Sequence, residues 1–312
     1  MSPLAQALLE QLYRKGGDFL SSAELTAPRM KVWQAVAELR ELGIEVEGKR
    51  RKGYRLVDST QVFSTDAFYA HLTTQRLGRH FEWVESIDST NNAIKAQAHR
   101  LPAGATLAAE HQTAGRGRQG RSWSSAQGAL QFSLLLKPRT APSQGALLTQ
   151  VTGASLAQTL STVCDLGIKW PNDLLIDGKK VCGILAEMMC DGEEVSWVCV
   201  GIGLNVNQTH FDDLPQATSL ALACGKKFDR ALLLAQILNG LERDYTHFFD
   251  QGAEKFLDLC RAKSTLLGHP VTFDGGCGLA TDIDSQGRLV VRLDNGTTQA
   301  LTSGEAHIGI GK

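Results

Sequence analysis

The sequence predicts an α+β chain in three parts, and three observations carry that expectation. Apolar residues recur at helical spacing near the start and again ahead of a short basic hairpin. Strand-like apolar runs mix with helices through the middle, and closely spaced β runs broken by turn residues fill the end. The parts fall at residues 1–60, 65–260 and 264–312.

In the first part Leu4, Leu8 and Leu12 follow Ser2 and Pro3, a capped helix start. Val32, Val36 and Leu39 mark a second helix closed by Gly43. Ile44 and Val46 then alternate with Glu45 and Glu47, and Tyr54 and Leu56 return beyond a tip of Lys49, Arg50, Arg51 and Lys52. Helices followed by a basic hairpin indicate a winged helix-turn-helix. Up to Thr60 there are 10 basic against 8 acidic residues, a charge of +2, and the remainder carries −3.

In the middle part residues 105–110, 129–136, 183–187 and 195–204 read as buried strands, and 146–163 and 230–249 as helices. In the last part β runs at 271–273, 279–284, 289–293 and 298–301 are separated by turns such as Asp294-Asn295-Gly296, which indicates a small barrel of SH3-like size.

Composition limits the function. The chain has 312 residues, 43% hydrophobic and 21% charged, with a net charge of −1, so any basic site is local. Seven cysteines include no CxxC pair and read as buried reduced thiols, as at Cys164, Cys199 and Cys260. Eight histidines lack metal-ligand spacing, and no dedicated metal site is expected. No apolar run is long enough to span a membrane and the start has no signal-peptide pattern, so no membrane partner is expected and a cytoplasmic location is.

Gly115-Arg116-Gly117-Arg118-Gln119-Gly120-Arg121-Ser122-Trp123 is the segment richest in chemistry. Glycine lets backbone approach an anion, and arginine offers forked donors to carboxylate or phosphate. Such a loop has no core of its own and is expected to order with ligand. Taken alone, it reads more readily as a solvated basic loop, or an RGG-like nucleic-acid contact, than as a ligand site.

With four further blocks in order, this segment resembles the biotin protein ligases, in the bifunctional bacterial form that also represses the biotin operon. The blocks are Asp88-Ser89-Thr90-Asn91, Lys169-Trp170-Pro171-Asn172-Asp173, Lys180-Val181-Cys182-Gly183-Ile184-Leu185-Ala186-Glu187 and Gly201-Ile202-Gly203-Leu204-Asn205-Val206-Asn207. Gln119 stands where the family often has another arginine. The resemblance spans the whole chain and implies a central mixed-sheet catalytic domain of the biotin/lipoate ligase type between a winged helix and an SH3-like barrel.

It also implies biotin and ATP as substrates, Mg²⁺ arriving with ATP, and an acceptor lysine on the biotin carboxyl carrier protein of acetyl-CoA carboxylase. The chemistry joins two anions, a carboxylate and an α-phosphate, so Arg116, Arg118 and Lys180 are the expected catalytic cations. Lys179 reads as their solvated neighbour. Ser89, Thr90, Asn91, Gln112, Gly115, Gly117, Gly183 and Gly201 are implied, with those three cations, as the biotin site. Ser89 to Asn91 also read as a plain cap on a helix at 92–100. Arg118, Arg121, Trp123, Lys169, Asn172, Asp173 and Asn205 are implied for ATP, with Mg²⁺ near Asp173. Glycines at 183, 201 and 203 inside apolar strands call for a bulge or a close approach.

The resemblance implies biotin-operator DNA and a homodimer as further partners. Arg29, Lys31, Trp33 and Gln34 on the second helix, with Lys49, Arg50, Arg51 and Lys52 on the wing, are the candidate DNA contacts. Ser22 to Leu25 fits the opening of the family's helix-turn-helix. Thr26-Ala27-Pro28-Arg29 follows about four residues too soon for the usual pattern, with Pro28 where serine is usual, so a relic domain that does not read DNA stays open. Two other functions also remain: a lipoate or octanoyl transferase, and a regulator that senses biotin without ligating it.

Overall fold

The computed structural model describes residues 1–21, 23–211, 214–302 and 304–309, and element counts refer to these. Ser22, the expected opening of the helix-turn-helix, lies outside them. The chain divides into two compact units: Met1–His71 with Phe228–Ala235, and Leu72–Lys227 with Gln236–Lys312.

The first unit holds α1 (Pro3–Arg14), α2 (Arg29–Glu41), the antiparallel pair β1 (Val46–Lys49) and β2 (Gly53–Leu56), and α3 (Thr65–His71). Its core is the expected apolar stripe: Leu8 and Leu12 of α1 meet Val32, Val36 and Leu39 of α2, with Val46 and Leu56 of the hairpin. Ser2 caps α1 by accepting from the Ala5 N–H at 3.3 Å, and its hydroxyl donates to Glu38 at 2.6 Å. Between α1 and α2 there is a turn, with Glu24 N–H donating to Ser21 O at 3.1 Å. Pro28 stands at the cap of α2 in extended conformation, ahead of the first helical turn.

The second unit is built on a seven-stranded sheet. In chain order it contains β3 (Phe81–Ile87), α4 (Thr90–Ala96), β4 (Thr106–Gln112), β5 (Leu130–Leu136), α5 (Pro142–Thr159), β6 (Gly167–Lys169), β7 (Asp173–Ile176), β8 (Lys179–Asp191), β9 (Glu194–Leu204), α6 (Leu220–Cys224), α7 (Arg230–Gln251), which starts in the first unit's second segment, and α8 (Glu254–Ala262). The sheet order is β3-β4-β5-β9-β8-β7-β6, with β3 and β4 parallel and the other neighbours antiparallel. Every residue of β5 is buried, as its central place requires. Gly153 of α5 packs against Ile184 of β8 on one face, while Ile94 of α4 covers Leu107, Leu135 and Cys199 on the other.

Five strands, β10 (Pro270–Phe273), β11 (Gly276–Ile283), β12 (Leu289–Arg292), β13 (Thr298–Leu301) and β14 (Ala306–Ile308), form an antiparallel sheet in the order β13-β12-β11-β10-β14. It belongs to the same unit and is docked by the indole N–H of Trp170, which donates to Gly287 O at 2.9 Å, and by Arg261, which donates to Ile283 O at 2.7 Å.

Several elements differ from expectation. The helix expected at 92–100 runs over Thr90–Ala96, because the chain tightens into turns once Gln97 N–H bonds Ile94 O. β3 was not expected: its edge position leaves Glu82 and Glu85 exposed, which breaks the apolar run. Cys190 and Cys277 are exposed and Cys164 half-buried, since Cys190 and Cys277 lie on outward-facing stretches of β8 and β11. Among the described residues no helix is long and apolar enough to cross a membrane. Leu134, fully buried at the centre of the sheet, sets a stability test. Leu134→Ala is expected to destabilise the second unit by about 2–5 kcal/mol, read as a lowered urea midpoint.

Candidate active site

The α4 face of β8 and β9 forms the floor of a cavity of about 240 Å³. In these paired strands Gly183 stands opposite Gly203 and Leu185 opposite Gly201. Trp123 lies flat on the first pair: a Cβ on Gly203 would overlap its six-membered ring, and one on Gly183 would come within 3.1 Å of it. A Cβ on Gly201 would collide with the Asn91 amide. Close approach by side chains therefore explains these glycines, since the bulges of β8 fall elsewhere, against β7 at Leu174/Leu175 and against β9 at Met189/Cys190.

The arginine loop spans the cavity mouth and is closed by its own backbone. Gly117 N–H donates to Arg121 O at 2.7 Å, and Trp123 N–H to Gly115 O at 2.9 Å. Within it Arg116 pairs with Ser122 in an antiparallel bridge, a hairpin-like turn with Gln119 in the left-handed region. Arg118 reaches inward, and its Nη1 donates to Asn172 Oδ1 at 3.2 Å while Asn172 Nδ2 donates to Ile184 O at 3.0 Å. Asn172 thus acts as a bracket for the arginine. Burial lowers the Arg118 guanidinium's proton affinity and Asp173 and Glu305 oppose it, leaving arginine's high affinity ample to keep the charge.

Lys180, half-buried at the start of β8, places its Nζ 2.7 Å from Asp173 Oδ1 and 5.7 Å from the Trp123 ring centroid. Lys179 points outward to solvent. Arg116 Nη1 contacts Asn92 Oδ1 at 3.4 Å. Arg121 pairs with Glu305, and Lys169 Nζ lies 3.2 Å from His307 Nδ1, so β14 and the residue before it supply one wall. Burial would raise the Glu305 carboxyl, but Arg121 and His307 outweigh it and hold it below its usual range. The indole N–H of Trp123 is buried with no acceptor among the described residues.

Of the expected residues, the cavity brings together Ser89, Thr90, Asn91, Gln112, Arg116, Gly117, Arg118, Arg121, Trp123, Lys169, Asn172, Asp173, Lys180, Gly183 and Gly201. Gly115 lies behind the lining, packed on the Trp123 backbone. Asn205 faces an adjoining cavity of about 540 Å³ instead, with its amide bonded to Thr218 O and Gln208 at 3.0 Å each. Ser122, Trp123 and Lys180 border both spaces. Sequence reasoning missed Glu305 and His307, for which the chain's end gave no signal. It also missed Gln131 and Ser133, although polar residues in an apolar strand were a signal.

Comparison with known proteins places this arrangement. Residues 83–205 match the biotin/lipoate A/B protein ligase family and residues 267–309 the biotin protein ligase C-terminal domain. The bifunctional ligase/repressor BirA of Bacillus subtilis (strain 168) is 34% identical, over 95% of this chain and 96% of that protein. The chain belongs to the biotin protein ligase family. BirA of Escherichia coli (strain K12) is 27% identical over 89% of each chain. The solved biotin protein ligase from Aquifex aeolicus in complex with biotin and ATP superposes with a TM-score of 0.64 at 30% identity, covering 73% of this chain and 98% of that one.

Within this family site, Gly201→Ala should displace Asn91 from the cavity wall. Biotin affinity measured by calorimetry is expected to fall at least about tenfold, in line with the loss of one or two buried hydrogen bonds; unchanged affinity would show that Asn91 has no part in binding.

Proposed function

We propose that the protein is an ATP-dependent biotin ligase that forms biotinyl-5′-adenylate and passes biotin to a lysine of the biotin carboxyl carrier protein of acetyl-CoA carboxylase. The observation that carries this is the meeting of Arg118 and Lys180, 62 positions apart in sequence, in one cavity. Bringing a carboxylate to an α-phosphate requires fixed positive charge, which is worth most where water is excluded. Lys180 is a compact cation already matched to a carboxylate, Asp173, and an incoming anion can take over that role. Arg116 and Arg118 flank the reacting groups, while Ser89 to Asn91 and Gln112 provide polar contacts for the ureido ring.

The adjoining cavity, bordered by Trp123 and Asn205 with Phe211 and Leu214, suits the nucleotide base. Mg²⁺ enters with ATP. Among the described residues no group of three or more His, Cys, Asp or Glu could hold a metal by itself. Asp173 fits as one oxygen donor to an ion held mainly by phosphates and water, which would offset phosphate charge. The acceptor lysine attacks the mixed anhydride and AMP leaves, so no covalent enzyme intermediate is needed. The free cysteines accord with a cytoplasmic protein.

The reading extends to a second role as biotin-operon repressor, with α1, α2 and the β1–β2 hairpin as a winged helix-turn-helix and the C-terminal sheet as an SH3-like domain. Arg29, Lys31, Trp33 and Gln34 share the exposed face of α2, and Lys49 to Lys52 form the exposed hairpin tip. The names of the BirA relatives support this role, and the adenylate-bound chain is taken to act as a homodimer.

Biotin-dependent exchange of pyrophosphate into ATP tests the ligase. Exchange with biotin and none with lipoate is expected; lipoate-only exchange would make the protein a lipoate ligase, and no exchange a sensor. Lys180→Ala should lower the exchange rate on the order of 100-fold or more, and an unchanged rate would remove the lysine from the mechanism. For repression, a gel shift of the biotin-operon promoter is expected with the adenylate present and is expected to disappear when Lys49 to Lys52 are replaced by alanine.

A further inference from the structure

Beneath the α4 side of the cavity runs a buried chain of side-chain hydrogen bonds. Gln131 of β5 is fully buried in an otherwise nearly apolar strand. Its Nε2 donates to Glu110 O at 3.0 Å and to Ser125 Oγ, and its Oε1 accepts from Gln112 Nε2 at 2.9 Å. Gln112 Oε1 in turn accepts from the Thr90 N–H at 2.8 Å and the Thr90 hydroxyl at 3.1 Å.

The polarity of this chain is dictated at both ends. A backbone carbonyl can only accept, so the nitrogen of Gln131 must face Glu110. A backbone N–H can only donate, so the oxygen of Gln112 must face Thr90. The two amides then meet nitrogen to oxygen, the one combination that leaves neither buried group unpaired. With its proton given to Gln112 and one lone pair accepting from the Ser133 hydroxyl at 2.7 Å, the Thr90 oxygen keeps a single lone pair to offer the cavity, which suits a ligand N–H.

Gln131 also fixes the loop. Ser125, two residues beyond Trp123, accepts from the Gln112 N–H at 2.7 Å and from Gln131, so the exit of the arginine loop is tied to the strand that begins it. We propose that Gln131, which lines neither of the two cavities described above, is a positioning residue for biotin: it sets the orientation of Gln112 and, through it, makes Thr90 an acceptor for a ligand N–H. This rests on the biotin reading above.

The test is a double-mutant cycle in the full-length enzyme. Methionine at 131 or 112 keeps the length of the side chain and removes the amide. Gln131→Met is expected to raise KM for biotin about tenfold in the exchange assay, with kcat and KM for ATP within about twofold, from one buried donor left unpaired. Gln112→Met should raise KM for biotin at least as much, and the double variant no more than Gln112→Met alone, because Gln131 acts through Gln112. Independent, multiplying effects would overturn the proposal, as would equal rises in both KM values, the signature of general loosening. No biotin-dependent exchange by the unaltered enzyme would instead overturn the biotin reading, and this inference with it.

Discussion

Two anions resist being brought together, and the second unit is organised around that repulsion. Arg118 arrives on a glycine-rich loop and Lys180 at the start of a long strand, and each is already held by a neighbour: Asn172 for the guanidinium, Asp173 for the ammonium. Cations held in place before substrates arrive need little reorganisation as charge builds up. Asn172 and Asp173 are adjacent in sequence, so one turn between β6 and β7 sets the place of both charges.

The remaining features answer to the same requirement. Glycines on β8 and β9 lower the floor enough for Trp123 and Asn91 to lie on the strands themselves. The C-terminal sheet closes the other wall, where Glu305 takes up Arg121 and His307 meets Lys169. That arrangement gives the small sheet a direct part in the cavity: without it, two of the basic side chains around the site lose their partners. Below the cavity, the amide chain from Glu110 to Thr90 turns a backbone constraint into the orientation of a ligand-facing hydroxyl.

Much of this was legible in the sequence, and the boundary has physical causes. Short motifs whose residue types carry chemistry, such as Gly115 to Trp123 and Lys169 to Asp173, named most of the cavity lining because backbone approach and charge need those residues. Long-range partners were not legible. Glu305 and His307 reach the cavity only through the docking of a sheet formed more than a hundred residues later, and nothing local marks them. Gln131 was visible as a polar residue in an apolar strand, yet its role depends on which strands become neighbours. Asn205 was placed with the nucleotide by motif; it borders the adjoining cavity, and its amide bonds to the segment that follows β9.

The central claim is that Arg118 and Lys180 act on one developing charge. A double-mutant cycle on the single-turnover rate of biotinyl-adenylate formation tests it most directly, comparing Arg118→Ala, Lys180→Ala and the pair. Residues that act as a unit are strongly non-additive, so the double variant should fall within about threefold of the slower single variant. Rates that multiply fully, as for two independent contributions, would contradict the account.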